Sequence, residues 1–238
     1  AGGARPESEA TIEIDLHGLS IVEVVRGTDG RWSYVQASPL NRRITPNTPM
    51  AFSGPVRGNA LIQTVFSPTG VAGRGTINNC ANGYTPWGTN ITCEENWAGY
   101  FRRPAAADNP RRTAREVTAL TRYGVTSTTG NYGWASVTPA DPANTNFRKW
   151  DAQATGSSAT ADYRNEPNQY GWCVEVDPYD PTSTPRKRTA LGRMNHEGAW
   201  PSRFVAGVRP AWYMGDDAQN EYVYKFVSAT PWAAADAQ

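Results

Sequence analysis

One short segment of the sequence combines a cysteine with two adjacent carboxylates. Cys80 is followed by a turn-forming Asn-Gly pair, and the β-rich run at residues 89–93 leads directly into Glu94 and Glu95. Because an Asn-Gly pair permits positive φ, the chain can turn sharply just after Cys80. The segment therefore predicts a loop that presents Cys80 and a strand that ends in paired carboxylates. A thiolate with neighbouring carboxylates suits iron together with a harder cation such as calcium.

The same residues also have a simpler interpretation. Cys80 and Cys93 would serve equally as small buried hydrophobic residues, with Glu94 and Glu95 facing solvent. The chain has three cysteines, an odd count without C-x-x-C spacing. Such a count neither makes a disulfide framework nor indicates a cellular compartment. Residue types alone leave both interpretations open.

A second carboxylate lies in the middle of a predicted strand. Alternation over residues 171–177 places Trp172, Val174 and Val176 on one face and Glu175 on the other. The apolar face predicts core packing. The opposite face places a carboxylate mid-strand, where a central channel or a metal would have a use for it, and an ordinary half-exposed strand is the alternative.

Two further acidic sites come later in the chain. His196, one of two histidines, stands beside Glu197. An extended backbone would point the two side chains to opposite faces, so both could bind one metal only in a loop, and a structural histidine is the commoner interpretation. The pair Asp216-Asp217 predicts either a calcium-binding turn or the cap of a hairpin.

Other catalytic chemistries lack their sequence signals. The sequence contains no Walker phosphate loop, no G-x-S-x-G elbow and no H-E-x-x-H helix.

The pattern along the chain predicts many short strands. Nine Trp, eleven Tyr, 22 Gly and 18 Pro are typical of short strands joined by turns. Period-two alternation predicts a strand at residues 11–16, and residues 21–25 and 31–35 flank a Gly-rich turn as in a hairpin. Residues 221–227 predict another strand. The one predicted helix covers residues 113–122, with Thr113 and Glu116 forming a capping box.

The composition favours a globular protein and shows no excess of basic residues that would indicate nucleic-acid binding. The 238 residues are 39% hydrophobic and 19% charged, and the net charge is +1. No apolar run approaches the ~20 residues of a membrane helix. Because the chain opens without an initiator Met or an apolar signal core, we expect it to be processed or cut from something longer.

Several segments together resemble the PhoX-type bacterial alkaline phosphatases, in the family's order and roughly its spacing. They are Asn-Cys-Ala at 79–81, Thr-Pro-Trp-Gly-Thr at 85–89, Thr-Cys-Glu-Glu at 92–95, Gly-Trp at 171–172, Glu-Val-Asp-Pro at 175–178, Lys-Arg-Thr-Ala-Leu-Gly-Arg at 187–193, His-Glu-Gly-Ala at 196–199 and Tyr-Met-Gly-Asp-Asp at 213–217.

This resemblance implies a fold and an activity. The family consists of exported, periplasmic or secreted β-propeller enzymes, which hydrolyse phosphate monoesters at a centre of ferric and calcium ions on the propeller axis. We therefore expect an all-β chain with at most one short helix. A non-catalytic propeller segment, serving as a structural or interaction module, is the alternative function.

The resemblance also implies metal ligands. Cys80 and Glu175 correspond to iron ligands, and Glu95 and the carbonyl of Ala81 to the calcium part of the site. Three further candidates come from the same segments. They are Glu94, His196 and Glu197.

The chain departs from the family in length. Members are much longer, and two of their site segments, an Asn-His-Glu before this chain and an Arg-Pro-Glu after it, have no counterpart here. Asn82 also replaces the usual Gly. We therefore expect residues 1–238 to form a partial propeller, either a fragment of a longer chain or one completed by another polypeptide.

Overall fold

Short strands joined by long loops make up most of the chain. The computed structural model describes residues 4–233. The strands in this region are β1 (Leu19–Ile21), β2 (Val24–Arg26), β3 (Trp32–Tyr34), β4 (Arg42–Ile44), β5 (Pro49–Ser53), β6 (Ala72–Arg74), β7 (Asn79–Tyr84), β8 (Asn90–Glu94), β9 (Cys173–Val176), β10 (Arg186–Arg188), β11 (His196–Pro201), β12 (Ala211–Asp216) and β13 (Val223–Val227). The helices are α1 (Glu7–Leu16), α2 (Ala105–Asp108) and α3 (Ala114–Arg122).

Six strands form the largest sheet, in the order β6-β5-β10-β9-β8-β7. Strand β10 runs parallel to β5, and the other neighbours are antiparallel. The inner strand β9 is buried along its whole length. Val174 and Val176 pack against Ile44 and Met50, which confirms the predicted apolar face. The opposite face is also covered, so the half-exposed strand is excluded.

A three-stranded sheet, β11-β12-β13, covers that opposite face. Residues of β8, β9, β11 and β12 share one apolar cluster there. Strand β11 also lies against β7, where a Cβ at Gly83 would come within 1.7 Å of the backbone oxygen of Ala199. Glycine is therefore required at this crossing, which brings β7 and β11 together.

The remaining strands form two small sheets. Strand β1 pairs with β4, and β2 pairs with β3 around the Gly-rich turn, which confirms the predicted hairpin. Small sheets and long loops confirm the predicted class, a chain built mostly of short strands.

The long connection between β8 and β9 has an aromatic core of its own. Trp97, Trp134 and Trp150 are fully buried in it, and the rings of Trp134 and Trp150 lie 4.9 Å apart. Large aromatic side chains bury much apolar area for each residue ordered. Helix α3 begins at the predicted capping box, in which the Thr113 side chain accepts from the Glu116 N–H. This connection is therefore a packed part of the molecule.

The prediction of a strand at residues 11–16 is wrong. These residues lie in α1, where Ala10 and Ile14 are spaced by one helical turn and are both buried in the aromatic core. Ile12 and Leu16, which suggested the alternation, are 62% and 73% exposed. The helix also begins with Glu7 and Glu9, which favour the positive end of its dipole.

The limit of one short helix is also wrong, because the described residues contain three α-helices and several 3-10 turns. Helices α1 and α3 contribute Ala10, Ile14 and Leu120 to the aromatic core. Among these helices, none is long and apolar enough to cross a bilayer.

Candidate metal centre

Three of the predicted ligands meet where β7, β8 and β11 come together. The Sγ atom of Cys80, a carboxylate oxygen of Glu95 and a carboxylate oxygen of Glu197 all lie within 4.8 Å of one another. The Cys80 thiol donates to Oε1 of Glu197 over 3.3 Å. These three residues are called the Cys80 cluster below.

Two irregularities in strand pairing aim the side chains at this point. In the β7–β8 pairing, Asn79 opposes Glu94 but Asn82 opposes Thr92, so the register shifts around Cys80. A second shift lies around Glu197 in the β11–β12 pairing. Such bulges bend a strand and redirect a side chain that regular alternation would place elsewhere.

The end of β8 is fixed by a turn before β7. Asn78 has a positive φ of 48°. Its carbonyl accepts from the Glu95 N–H at 3.1 Å, and its Oδ1 accepts from the Asn96 N–H at 3.0 Å. The Glu95 carboxylate then accepts from the Asn96 side chain at 2.6 Å. Glu95 is therefore held both through its backbone and through its side chain.

The Cys80 cluster brings acidic groups close together, and their environment opposes ionisation. Burial, followed by hydrogen bonds to Glu197 and Glu95, raises the pKa of the Cys80 thiol to about 11. Burial also raises the pKa of Glu95, and the carboxyl groups of Asp217 and Glu197 add to this effect. A cation would reverse this balance, because it stabilises a thiolate and carboxylates together. The donor set, one soft sulfur and hard oxygens, fits iron with a harder cation.

The two acidic residues at the end of β12, Asp216 and Asp217, make different contacts. The Asp216 side chain accepts from the backbone N–H groups of Asn195 and Ala218, each at 3.2 Å, as a turn cap does. Asp217 instead interacts with the carboxyl group of Glu95. From the sequence, Asp217 could be predicted only as part of a turn that either binds calcium or caps a hairpin.

Ala81 lies beside the cluster on β7. A Cβ built at Gly198 would be 3.2 Å from the Ala81 Cβ, so β7 and β11 are in close contact there. The Ala81 backbone N–H also interacts with the Cys80 sulfur, and this lowers the pKa of the thiol against the other influences.

Glu94 lies outside the cluster although it precedes Glu95. Its Oε1 accepts from Lys187 Nζ at 2.7 Å, and its Oε2 accepts from the backbone N–H groups of Gly171 and Trp172, each at 3.0 Å. Glu94 and Lys187 are both fully buried. The Glu94 carboxylate therefore joins β8, β9 and β10 inside the sheet.

Glu175 also lies apart from the Cys80 cluster. Its Oε1 accepts from Trp87 Nε1 at 2.7 Å and from Thr89 Oγ1 at 2.6 Å, and its Oε2 is paired with Arg188. Burial opposes ionisation, but hydrogen bonds from Thr89 and Trp87 and the Arg188 charge lower the pKa of Glu175 overall. Together with Arg188 it lines an aromatic cleft of about 500 Å³.

His196 is turned into the core. Its Nε2 lies 3.0 Å from the Gly192 carbonyl and its Nδ1 lies 3.5 Å from the Cys173 sulfur. The side chain is fully buried, and burial lowers the pKa of the imidazole. His196 therefore points away from its neighbour Glu197, as extended backbone dictates.

The sequence matches the alkaline phosphatase PhoX family over residues 2–238. The chain belongs to the PhoX family. Among solved structures it is similar to Pseudomonas fluorescens PhoX in complex with vanadate, a transition state analogue, with a TM-score of 0.79 and 38% sequence identity. No protein of curated function matches the chain.

The match to the PhoX structure covers 99% of this chain but 36% of the Pseudomonas protein. The chain thus spans about a third of the length of that relative.

Sequence reasoning missed the partners of the predicted PhoX-type carboxylates. Arg188 and Lys187 are adjacent on β10, yet they pair with Glu175 and Glu94 respectively. The sequence signal for these partners is that Lys187 and Arg188 both lie in the Lys-Arg-Thr-Ala-Leu-Gly-Arg segment, which resembles the PhoX family.

Proposed function

We propose that this chain carries part of the metal centre of a phosphomonoester hydrolase. Membership of the PhoX family supports the reaction class. The observation that carries the proposal is the convergence of Cys80, Glu95 and Glu197, three donors from three separate strands or strand ends.

Iron and calcium are the proposed metals. Cys80 would hold iron through its thiolate, and Glu95 and Glu197 would hold iron or calcium through oxygen. The Ala81 carbonyl, beside the cluster on β7, is a proposed calcium ligand. When bound, clustered cations neutralise phosphate, stabilise charge on the transferred phosphoryl group and orient the attacking oxygen.

In this proposal the other predicted ligands, Glu94, His196 and Glu175, hold neighbouring groups in position. Glu94 fixes the backbone next to Glu95 through its buried ion pair with Lys187. His196 anchors β11 in the core through Gly192, and so fixes the backbone next to Glu197. Glu175 orders the aromatic cleft through Arg188.

We further propose that the chain works in an exported protein, periplasmic or secreted, and that a further polypeptide or more of the same chain completes a propeller. The ratio of lengths supports this proposal, since the match covers 36% of the Pseudomonas protein. The edge strand β13 supports it as well, with Val223 78% exposed.

The test is hydrolysis of p-nitrophenyl phosphate by the native assembly, measured with its iron and calcium content. Cys80→Ser is expected to lower iron content and to reduce hydrolysis more than ~100-fold, because losing a ligand exceeds the 10–100-fold cost of losing its outer partners. Glu9→Gln, an exposed carboxylate on α1, is the matched control and should change neither.

Full activity and metal content in Cys80→Ser would refute the ligand assignment. A native assembly that contains neither metal and hydrolyses nothing would favour the non-catalytic propeller module instead.

A further inference from the structure

Two buried cysteines face each other across adjacent strands. Cys93 of β8 is directly opposite Cys173 of β9, and their sulfur atoms are 3.7 Å apart. Both side chains are fully buried, and both are free thiols in the structure. Neither residue belongs to the Cys80 cluster.

The strand pairing places these residues where a cross-link fits. The next opposed pair, Glu94 and Trp172, is hydrogen-bonded, since the Glu94 N–H donates to the Trp172 carbonyl at 3.2 Å. Hydrogen-bonded and non-hydrogen-bonded pairs alternate in an antiparallel ladder, so Cys93 and Cys173 form a non-hydrogen-bonded pair. In such pairs the Cα atoms lie about 4.5 Å apart, within the ~4.4–6.8 Å that a disulfide requires.

The sulfur of Cys173 is also oriented. Because a carbonyl only accepts, the contact of His196 Nε2 with the Gly192 oxygen places the imidazole proton on Nε2. Nδ1 then accepts from the Cys173 thiol at 3.5 Å. This contact holds the Cys173 sulfur on the face of β9 that also meets Cys93.

We infer that Cys93 and Cys173 form a disulfide when the chain folds in an oxidising compartment. One S–S bond forms and two S–H bonds are lost. The two electrons and two protons pass to a disulfide oxidant, either oxidised glutathione or a disulfide oxidoreductase, whose own S–S bond is reduced to two thiols. Because both sulfurs are buried, the exchange takes place before the sheets close over them.

The bond would tie together residues 80 positions apart in the chain. It would join β8 to β9 immediately before Glu94 and Glu95, and so fix the strand end that leads into the Cys80 cluster. It leaves Cys80 free, as metal binding requires. The compartment is the only part of the proposed function on which this inference rests.

The test maps thiols in the full chain refolded in a buffer of oxidised and reduced glutathione. The folded protein is alkylated in denaturant without reductant, digested and analysed by mass spectrometry. We expect one linked peptide pair, Cys93 with Cys173, lighter than the two free peptides by two hydrogen atoms. Cys80 in the same sample should be recovered as the alkylated thiol or as its glutathione adduct, and this controls for the labelling.

Thermal unfolding supplies a second readout. Dithiothreitol should lower the melting temperature of the oxidised wild type by roughly 5–15 °C. Cys173→Val, which keeps a side chain of similar size but cannot form the bond, should show no such shift. Phosphatase activity enters neither readout, so failure here is distinct from failure of the proposed function.

Complete alkylation of both Cys93 and Cys173 in folded protein from the oxidising buffer would overturn the inference. So would a peptide in which either cysteine is joined to Cys80. The wild-type peptide map decides the question even if the Cys173→Val protein does not fold.

Discussion

Two adjacent glutamates at the end of β8 have different roles. Glu94 points into the sheet and pairs with Lys187, whereas Glu95 joins Cys80 and Glu197. The sequence could show that two carboxylates end a strand, but not which faces the cluster. That depends on Lys187, which lies 93 positions away in the chain.

Glu175 provides a test, at the scale of the residue, of which carboxylates bind metal and which pair with another side chain. Glu175→Gln keeps the shape of the side chain but removes its charge, so the half-buried Arg188 loses its ion pair. We expect a loss of stability of roughly 1–3 kcal/mol, as for other hydrogen bonds to charged groups. We expect iron bound at the Cys80 cluster to be retained. Chemical denaturation and metal analysis of the variant measure both quantities.

Loss of iron from a folded Glu175→Gln protein would contradict this assignment. It would instead support the ligand role that the family resemblance implies for Glu175.

At the scale of elements, local sequence patterns correctly predicted those strands and helices whose structure depends on residues close by in the chain. The hairpin β2–β3, the strands β8, β9 and β13 and the capped helix α3 all follow from alternation, turns or a capping box. Helix α1 does not, because Ala10 and Ile14 are buried by the distant aromatic core. The bulges at Cys80 and Glu197 are equally non-local, since each is defined by the partner strand.

The crossing of β7 and β11 provides an element-scale prediction. Gly83→Ala places a Cβ 1.7 Å from the Ala199 oxygen, so the two strands must separate. We expect destabilisation of about 1–3 kcal/mol and weaker iron binding, because Cys80 moves away from Glu197. Gly27→Ala is the matched control, since its new Cβ would crowd the exposed side chain of Asp29 and would lie at an ordinary contact distance of 3.6 Å from the Arg31 backbone oxygen.

Thermal melts and iron titrations of the two variants measure these effects. Equal iron affinity in Gly83→Ala and the wild type would show that the crossing does not position the cluster.

At the scale of the whole molecule, the chain presents apolar strand surface to solvent. Trp32 and Tyr34 of β3 are 67% and 55% exposed, and Val223 of the edge strand β13 is 78% exposed. The sequence predicted the strand-rich class, but not the packed aromatic connection between β8 and β9. Its many Trp and Tyr residues suggested strands, whereas several of them build that connection.

We expect the isolated chain to self-associate or to need a partner, because unpaired edges and exposed apolar strands invite association. Light scattering coupled to size exclusion should show species larger than a monomer at micromolar concentration. A monodisperse monomer that melts cooperatively would be incompatible with this expectation.

Iron binding by the native assembly tests the central claim most directly. Ferric iron added to the wild-type assembly should produce a visible absorption band from thiolate-to-iron charge transfer. The band should persist in Glu175→Gln and disappear in Cys80→Ser, because only Cys80 supplies the sulfur within the cluster. A folded wild-type assembly that binds no iron, or a band that survives in Cys80→Ser, would contradict the account.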